Sequence, residues 1–199
     1  MDSMQKTRKW AKGRMLSYGQ LRKYLIQKKG IIAVILVVFL LLILFRNLFS
    51  EIIVITGLII IGFCSLLYNR FIRVSLGIEF IMLSTVTAGV IYGPIAAFIT
   101  GGIALFAAEV FNQSFQHSTI VSFFGIAAVS IATPFFSPWL SIPALGMTMA
   151  ILYNAIIFPG YILLGSQPWK CILFTATDLV FNAWVFIAIA PKLIGLIHG

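Results

Sequence analysis

Beyond residue 30 this chain almost runs out of charge. Residues 31–199 carry nine charged side chains: Arg46, Glu51, Arg70, Arg73, Glu79, Glu109, Lys170, Asp178 and Lys192. An average soluble domain has about 25% charged residues. Here 10% of the 199 residues are charged and 61% are hydrophobic. No water-soluble fold of this length can cover its surface with so few charges. The sequence therefore describes a polytopic membrane protein and excludes soluble enzymes, nucleic-acid modules and disordered proteins.

The formal net charge of +9 does not point to nucleic acid, because it is concentrated in one tail. Residues 1–30 hold nine of the fourteen Lys and Arg residues, ahead of the first apolar run. That is the position of a cytoplasmic flank under the positive-inside rule. Trp10, Met15, Tyr18, Leu21, Tyr24 and Leu25 recur at roughly helical spacing. The tail thus suits an amphipathic helix on an anionic leaflet and, equally, a solvated cytoplasmic arm. Its length, and the lack of a small-residue cleavage site after 31–45, argue against a cleavable signal peptide. Cys64 and Cys171 have no CxxC spacing and no neighbouring histidine, so disulfide, zinc and redox readings are weak.

Apolar segments follow at 31–49, 52–69, 76–92, 95–111, 120–136, 141–164 and 171–190. A bilayer core about 30 Å thick requires about 20 apolar residues per spanning helix. Unpaired backbone groups are too costly in lipid for anything but helices or a closed barrel. The lengths and the lack of alternation predict an all-α, polytopic helix bundle with six or seven transmembrane helices. The first two segments form either two spans or a hairpin that does not fully cross. With seven spans and the tail inside, twelve of the fourteen basic residues face the cytoplasm. Residues 31–199 read as a single transmembrane domain in the cell membrane, crossed several times and in contact with lipid.

Small residues recur every four positions at Gly89, Gly93, Ala97 and Gly101. On helices this strip permits close approach. Gly93-Pro94 interrupts it and predicts a tight turn between two antiparallel helices. Helix packing alone suffices to explain the strip. The intramembrane acids Glu79, Glu109 and Asp178 carry more information, because a carboxylate in lipid must be paired, neutralised or hydrated. Glu109 shares a helix face with Asn112 and Gln113, and Asp178 with Asn182. Asn154 lies in an apolar segment ahead of Pro159 and Tyr161. Polar groups on several helices with few cations to pair them suit a small-molecule site held by hydrogen bonds. For Glu79 and Glu109, solvation at a helix end is the competing reading. Tyr92, Phe135, Phe136, Trp139, Tyr161, Trp169 and Trp184 are expected as interfacial anchors. Trp139 and Trp169, beside loops, are also placed to stack on a ligand.

Catalytic constellations are nearly absent. His117 and His198 are the only histidines and do not form HExxH, and there is no GxSxG elbow or GxxxxGK loop. The expectation is a protein that is not an enzyme and that uses no cofactor and no metal.

Three stretches resemble the S components of energy-coupling factor (ECF) transporters, the substrate-binding membrane subunits of those systems. The first is Ser75-Leu76-Gly77-Ile78-Glu79-Phe80, similar to an acidic helix entry of that family. The second is Ala88-Gly89-Val90-Ile91-Tyr92-Gly93-Pro94 followed by Gly101-Gly102, with Glu109 near the end of the next helix. The third is Tyr153-Asn154-Ala155-Ile156-Ile157-Phe158-Pro159-Gly160-Tyr161, similar to the fifth helix of riboflavin-type members, with Asn182 as a rough counterpart in the last helix. The likeness covers residues 52–196, and 31–49 is an additional N-terminal segment. It implies a six-helix bundle that captures a vitamin-like micronutrient and works with a transmembrane coupling subunit and ATPases. It also implies a pocket built from Glu79, Asn154, Tyr161 and Asn182, with Trp169 as a further candidate. The other reading from the sequence is a non-transporting scaffold for a cell-envelope or surface-filament complex, with the basic tail as a docking arm. Convergence of the four polar residues distinguishes the two. A membrane enzyme acting on a lipid-supplied substrate is a weaker third reading.

Overall fold

A computed structural model describes residues 34–40, 46–70 and 76–198. The basic tail at 1–30, with its amphipathic and solvated readings, lies outside the described residues, as do 71–75 and Arg73 among them. The chain divides into two compact units, Met1–Ser50 and Glu51–Gly199. In the first, residues 34–40 are helical and Val34 through Leu40 are exposed.

The helices are α1 (Arg46–Ser65), α2 (Ile81–Tyr92), α3 (Pro94–Asn112), α4 (His117–Phe136), α5 (Ile142–Leu163), α6 (Pro168–Ala188) and α7 (Ala190–His198), with a 3-10 turn at Leu67–Arg70. No strand occurs among the described residues. Helices α3 to α6 contain 19, 20, 22 and 21 residues and are apolar enough to cross a membrane. At 1.5 Å per residue each is about as long as the hydrocarbon core is thick. Phe49–Ser65 and Ile81–Tyr92 are shorter apolar helices. The protein is a helical membrane bundle.

The second unit has an apolar core, as a soluble domain does, but also an apolar surface and several buried polar side chains. Ile95, Ile103, Phe124, Ile131, Val180 and Ile187 are exposed, while Ser84, Thr85, Thr100, Ser130, Thr133 and Asp178 are buried. So large an exposed apolar surface needs lipid to cover it. Several buried hydroxyls are satisfied within their own helices: Thr85 donates to the Ile81 carbonyl (2.7 Å), Ser130 to Ile126 (2.7 Å) and Thr133 to Val129 (2.8 Å). This backbonding is suited to a setting without water.

Helix α2 is the centre of the unit. Every residue from Ile81 to Gly89 is buried, and α2 packs against α3, α4, α5, α6 and α7. Consecutive helices α3–α4, α4–α5 and α5–α6 also pack together. The small-residue strip lies where α2 and α3 meet. Gly93 links them with φ at 89°, a conformation open to glycine, and Pro94 starts α3. A Cβ on Gly89 would lie 3.3 Å from the Ala97 Cβ and 2.8 Å from Thr133, and one on Gly101 would overlap Thr85. Pairing of 89 with 97 and of 85 with 101 is the register of an antiparallel hairpin, as the sequence predicts.

Two boundaries differ from the sequence reading. The segment expected at 76–92 is helical only from Ile81, because Gly77 to Phe80 run along α6 as irregular chain. The last segment is two helices, α6 and α7.

Candidate functional site

The irregular stretch before α2 reaches the interior of the bundle by a close approach of backbone to backbone. Gly77 lies so near Asp178 that a Cβ there would overlap the Asp178 backbone. The Gly77 N–H donates to Thr177 Oγ1 (2.9 Å) and the Phe80 N–H to Ser65 Oγ (2.9 Å). Tyr68 anchors the stretch by donating its hydroxyl to the Leu76 carbonyl, and the Phe80 and Phe181 rings meet at 5.3 Å. Glu79 is thereby carried inside, 5% exposed, two residues beyond the Gly77–Asp178 approach.

Asp178 is the hub. It is fully buried in the middle of α6. Its Oδ2 accepts from Asn154 Nδ2 on α5 at 2.5 Å, and its Oδ1 from Asn182 Nδ2 one turn along α6 at 2.8 Å. Each amide is held from behind by a backbone carbonyl: Asn154 Nδ2 also donates to Ala150 O (2.9 Å), and Asn182 Nδ2 to Asp178 O (3.0 Å). Two amide donors are what a buried carboxylate needs when its described partners include no cation. The Oδ1 atoms of Asn154 and Asn182 are buried with no hydrogen-bond partner.

Tyr161 lies seven positions beyond Asn154, on the same face of α5. Its hydroxyl meets Ser122 Oγ of α4 at 2.5 Å, and its ring contacts Phe174 edge-on. It extends the polar interior without bonding to Asp178. Trp169 stands apart: it is 55% exposed, donates to Gln167 Oε1 (3.0 Å) and lies under Lys170. Glu109 also stands apart, half-buried at the end of α3, where it accepts from Ser114 Oγ (2.7 Å) beside the left-handed Gln113. Glu109 is therefore partly exposed at its helix end, whereas Glu79, next to the N-cap residue of α2, is buried. Trp139, 69% exposed, packs with Phe135 and Phe136 at the end of α4, as an interfacial cluster does.

The structure thus joins Asn154, Asp178 and Asn182 by hydrogen bonds, buries Glu79 on the stretch that meets Asp178 at Gly77, pairs Tyr161 with Ser122 apart from that group, and leaves Trp169 and Glu109 elsewhere. Asp178 was legible as an intramembrane acid, and its i,i+4 relation to Asn182 gave half of its role. Its contact with Asn154, twenty-four residues away, had no signal in the sequence. Nor did Gly77, Thr177 or Ser122. An apolar groove of about 460 Å³ flanks the same stretch, lined by Ile78, Ala176, Thr177, Val180, Phe181 and Trp184. Among the described residues no group of three or more His, Cys, Asp or Glu side chains is placed to hold a metal ion.

No family model matches the chain, and no curated protein or solved structure matches it either.

Proposed function

We propose that this protein is a substrate-binding membrane subunit, similar in role to an S component of an energy-coupling factor transporter, that captures a small micronutrient. The observation that carries the reading is the buried hydrogen-bonded group of Asn154, Asp178 and Asn182, with Glu79 also buried on the irregular stretch that meets Asp178 at Gly77. A scaffold held by surface contacts has no need to gather two acids and two amides in its interior, where each carries a desolvation cost. The amides with their unpartnered oxygens supply hydrogen-bonding specificity, and the groove beside Ile78 and Phe181 supplies apolar surface for the body of a ligand.

In this account six or seven segments cross the cell membrane: 52–69, 76–92, and α3 to α6, with 31–49 as the seventh. The basic tail faces the cytoplasm. The chain is not an enzyme. ATP is hydrolysed by separate ATPase subunits, coupled through a second transmembrane protein.

The test is a thermal-shift screen of the purified protein against water-soluble vitamins and related nutrients. Saturable stabilisation by one compound, lost in Asn154→Leu, is the expected result. No response to any compound, together with a tightly retained protein subunit of another kind, favours the scaffold reading.

A further inference from the structure

Opposite the buried face that carries Asp178, α6 has a second face that stays outside the bundle along its whole length. Trp169, Val180 and Ile187 are exposed, and so is Ala176. At 3.6 residues per turn these positions lie within about 20° of the Trp169 direction. At the start of this face stands a cation. Lys170 Nζ lies 5.7 Å from the centroid of the Trp169 ring, which is itself held by the bond from Trp169 Nε1 to Gln167 Oε1 (3.0 Å). Halfway along lies the groove of about 460 Å³ between Ile78 and Trp184. It lies where Gly77 to Phe80 pass α6 as irregular chain. The one hydroxyl among its lining residues is already used: Thr177 Oγ1 donates to the Leu173 carbonyl (2.8 Å) and accepts from the Gly77 N–H (2.9 Å).

We infer that this outer face of α6 binds one anionic phospholipid, with the phosphate at Lys170 and an acyl chain in the groove. Spacing, charge and size each select that occupant. Lys170 and Val180 are ten residues apart, about 15 Å along the axis, which is half of a hydrocarbon core about 30 Å thick. A lipid whose headgroup sits at the start of α6 therefore reaches the groove with its chain. The lysine favours an anionic headgroup over a zwitterionic one, and a groove without a free hydrogen-bonding group suits hydrocarbon. A partner's transmembrane helix fits poorly. At about 10 Å across it occupies on the order of 420 Å³ per turn, so the groove seats hardly more than one turn. The site goes beyond the nutrient reading, and a nutrient whose apolar body uses the same groove must displace the chain.

The experiment follows the fluorescence of Trp184, which lines the groove, in the full-length protein in detergent with Trp10→Phe, Trp139→Phe and Trp169→Phe. The last of these keeps a ring beneath Lys170. Phosphatidylglycerol or phosphatidylcholine with brominated acyl chains is titrated into the micelles. Quenching should rise to a plateau, with half-saturation at an about fivefold lower fraction of phosphatidylglycerol. Lys170→Gln should remove that preference. Ala176→Phe, which fills the groove from an exposed position, should raise the half-saturating fraction of both lipids severalfold. Quenching that climbs in proportion to lipid without a plateau is annular contact only and overturns the proposal. So does equal half-saturation by the two lipids in the unsubstituted groove, or a preference retained by Lys170→Gln. Absence of quenching, the sign of a retained partner helix, overturns it as well. No nutrient enters the experiment, so its failure leaves the nutrient-binding reading standing, and the converse holds.

Discussion

Asn154 and Asp178 meet across two helices, with the Asn154 Nδ2 2.5 Å from the Asp178 Oδ2 and both side chains buried. That bond joins α5 to α6 at the depth where Gly77 crosses α6. It makes the polar interior a structural joint as well as a candidate site, and the two roles separate under mutation.

Asn154→Leu removes one of the two amide donors to a buried carboxylate. The expected cost is about 1–3 kcal/mol. Paired with Asp178→Leu in a double-mutant cycle, it should show a coupling of about 0.5–3 kcal/mol, as expected for residues in one network. Unfolding in mixed detergent micelles measures both quantities. Strict additivity would mean that the bond contributes nothing.

Gly77→Ala places a methyl group into the Asp178 backbone, which has no flexible side chain to yield. Overpacking of this kind costs about 1–3 kcal/mol. Because it moves the stretch that carries Glu79, the variant should also lose ligand affinity while circular dichroism keeps its helical signal.

Gly93→Ala tests the turn between α2 and α3. Nothing lies within 4 Å of the added Cβ, but φ is 89° and ψ −175°. That region is almost closed to other residues and costs on the order of 1–3 kcal/mol. Gly57→Ala is the matched control: it has equal space, lies within α1, and should be neutral or stabilising by about 0.5–1 kcal/mol. Melting temperatures of the two variants should move in opposite directions or differ clearly.

Trp169→Ala should leave ligand binding within about twofold of wild type, because its ring is exposed and its described partners are Gln167 and Lys170. A titration that shows a tenfold loss would place Trp169 in the binding surface after all.

The membrane class, the helical nature and the α2–α3 hairpin were legible in the sequence because each rests on a local rule. Charge scarcity demands lipid, segment length demands helices, and Gly93-Pro94 between small residues demands a close turn. The site was legible as residue types. A carboxylate in an apolar run had to be satisfied by something, and Asn182 stood one turn away. What the sequence does not hold is tertiary: that α5 presents Asn154 to Asp178, that Gly77 lets irregular chain carry Glu79 inward, and that Trp169 stays outside.

The most direct test of the account is native mass spectrometry of the detergent-purified protein, with extraction and identification of what it carries. The account predicts a water-soluble small molecule at one copy per chain, released from wild type and missing from Asn154→Leu that is otherwise folded. Bound lipid alone with another protein subunit retained, or the same small molecule at equal occupancy in both proteins, would contradict it.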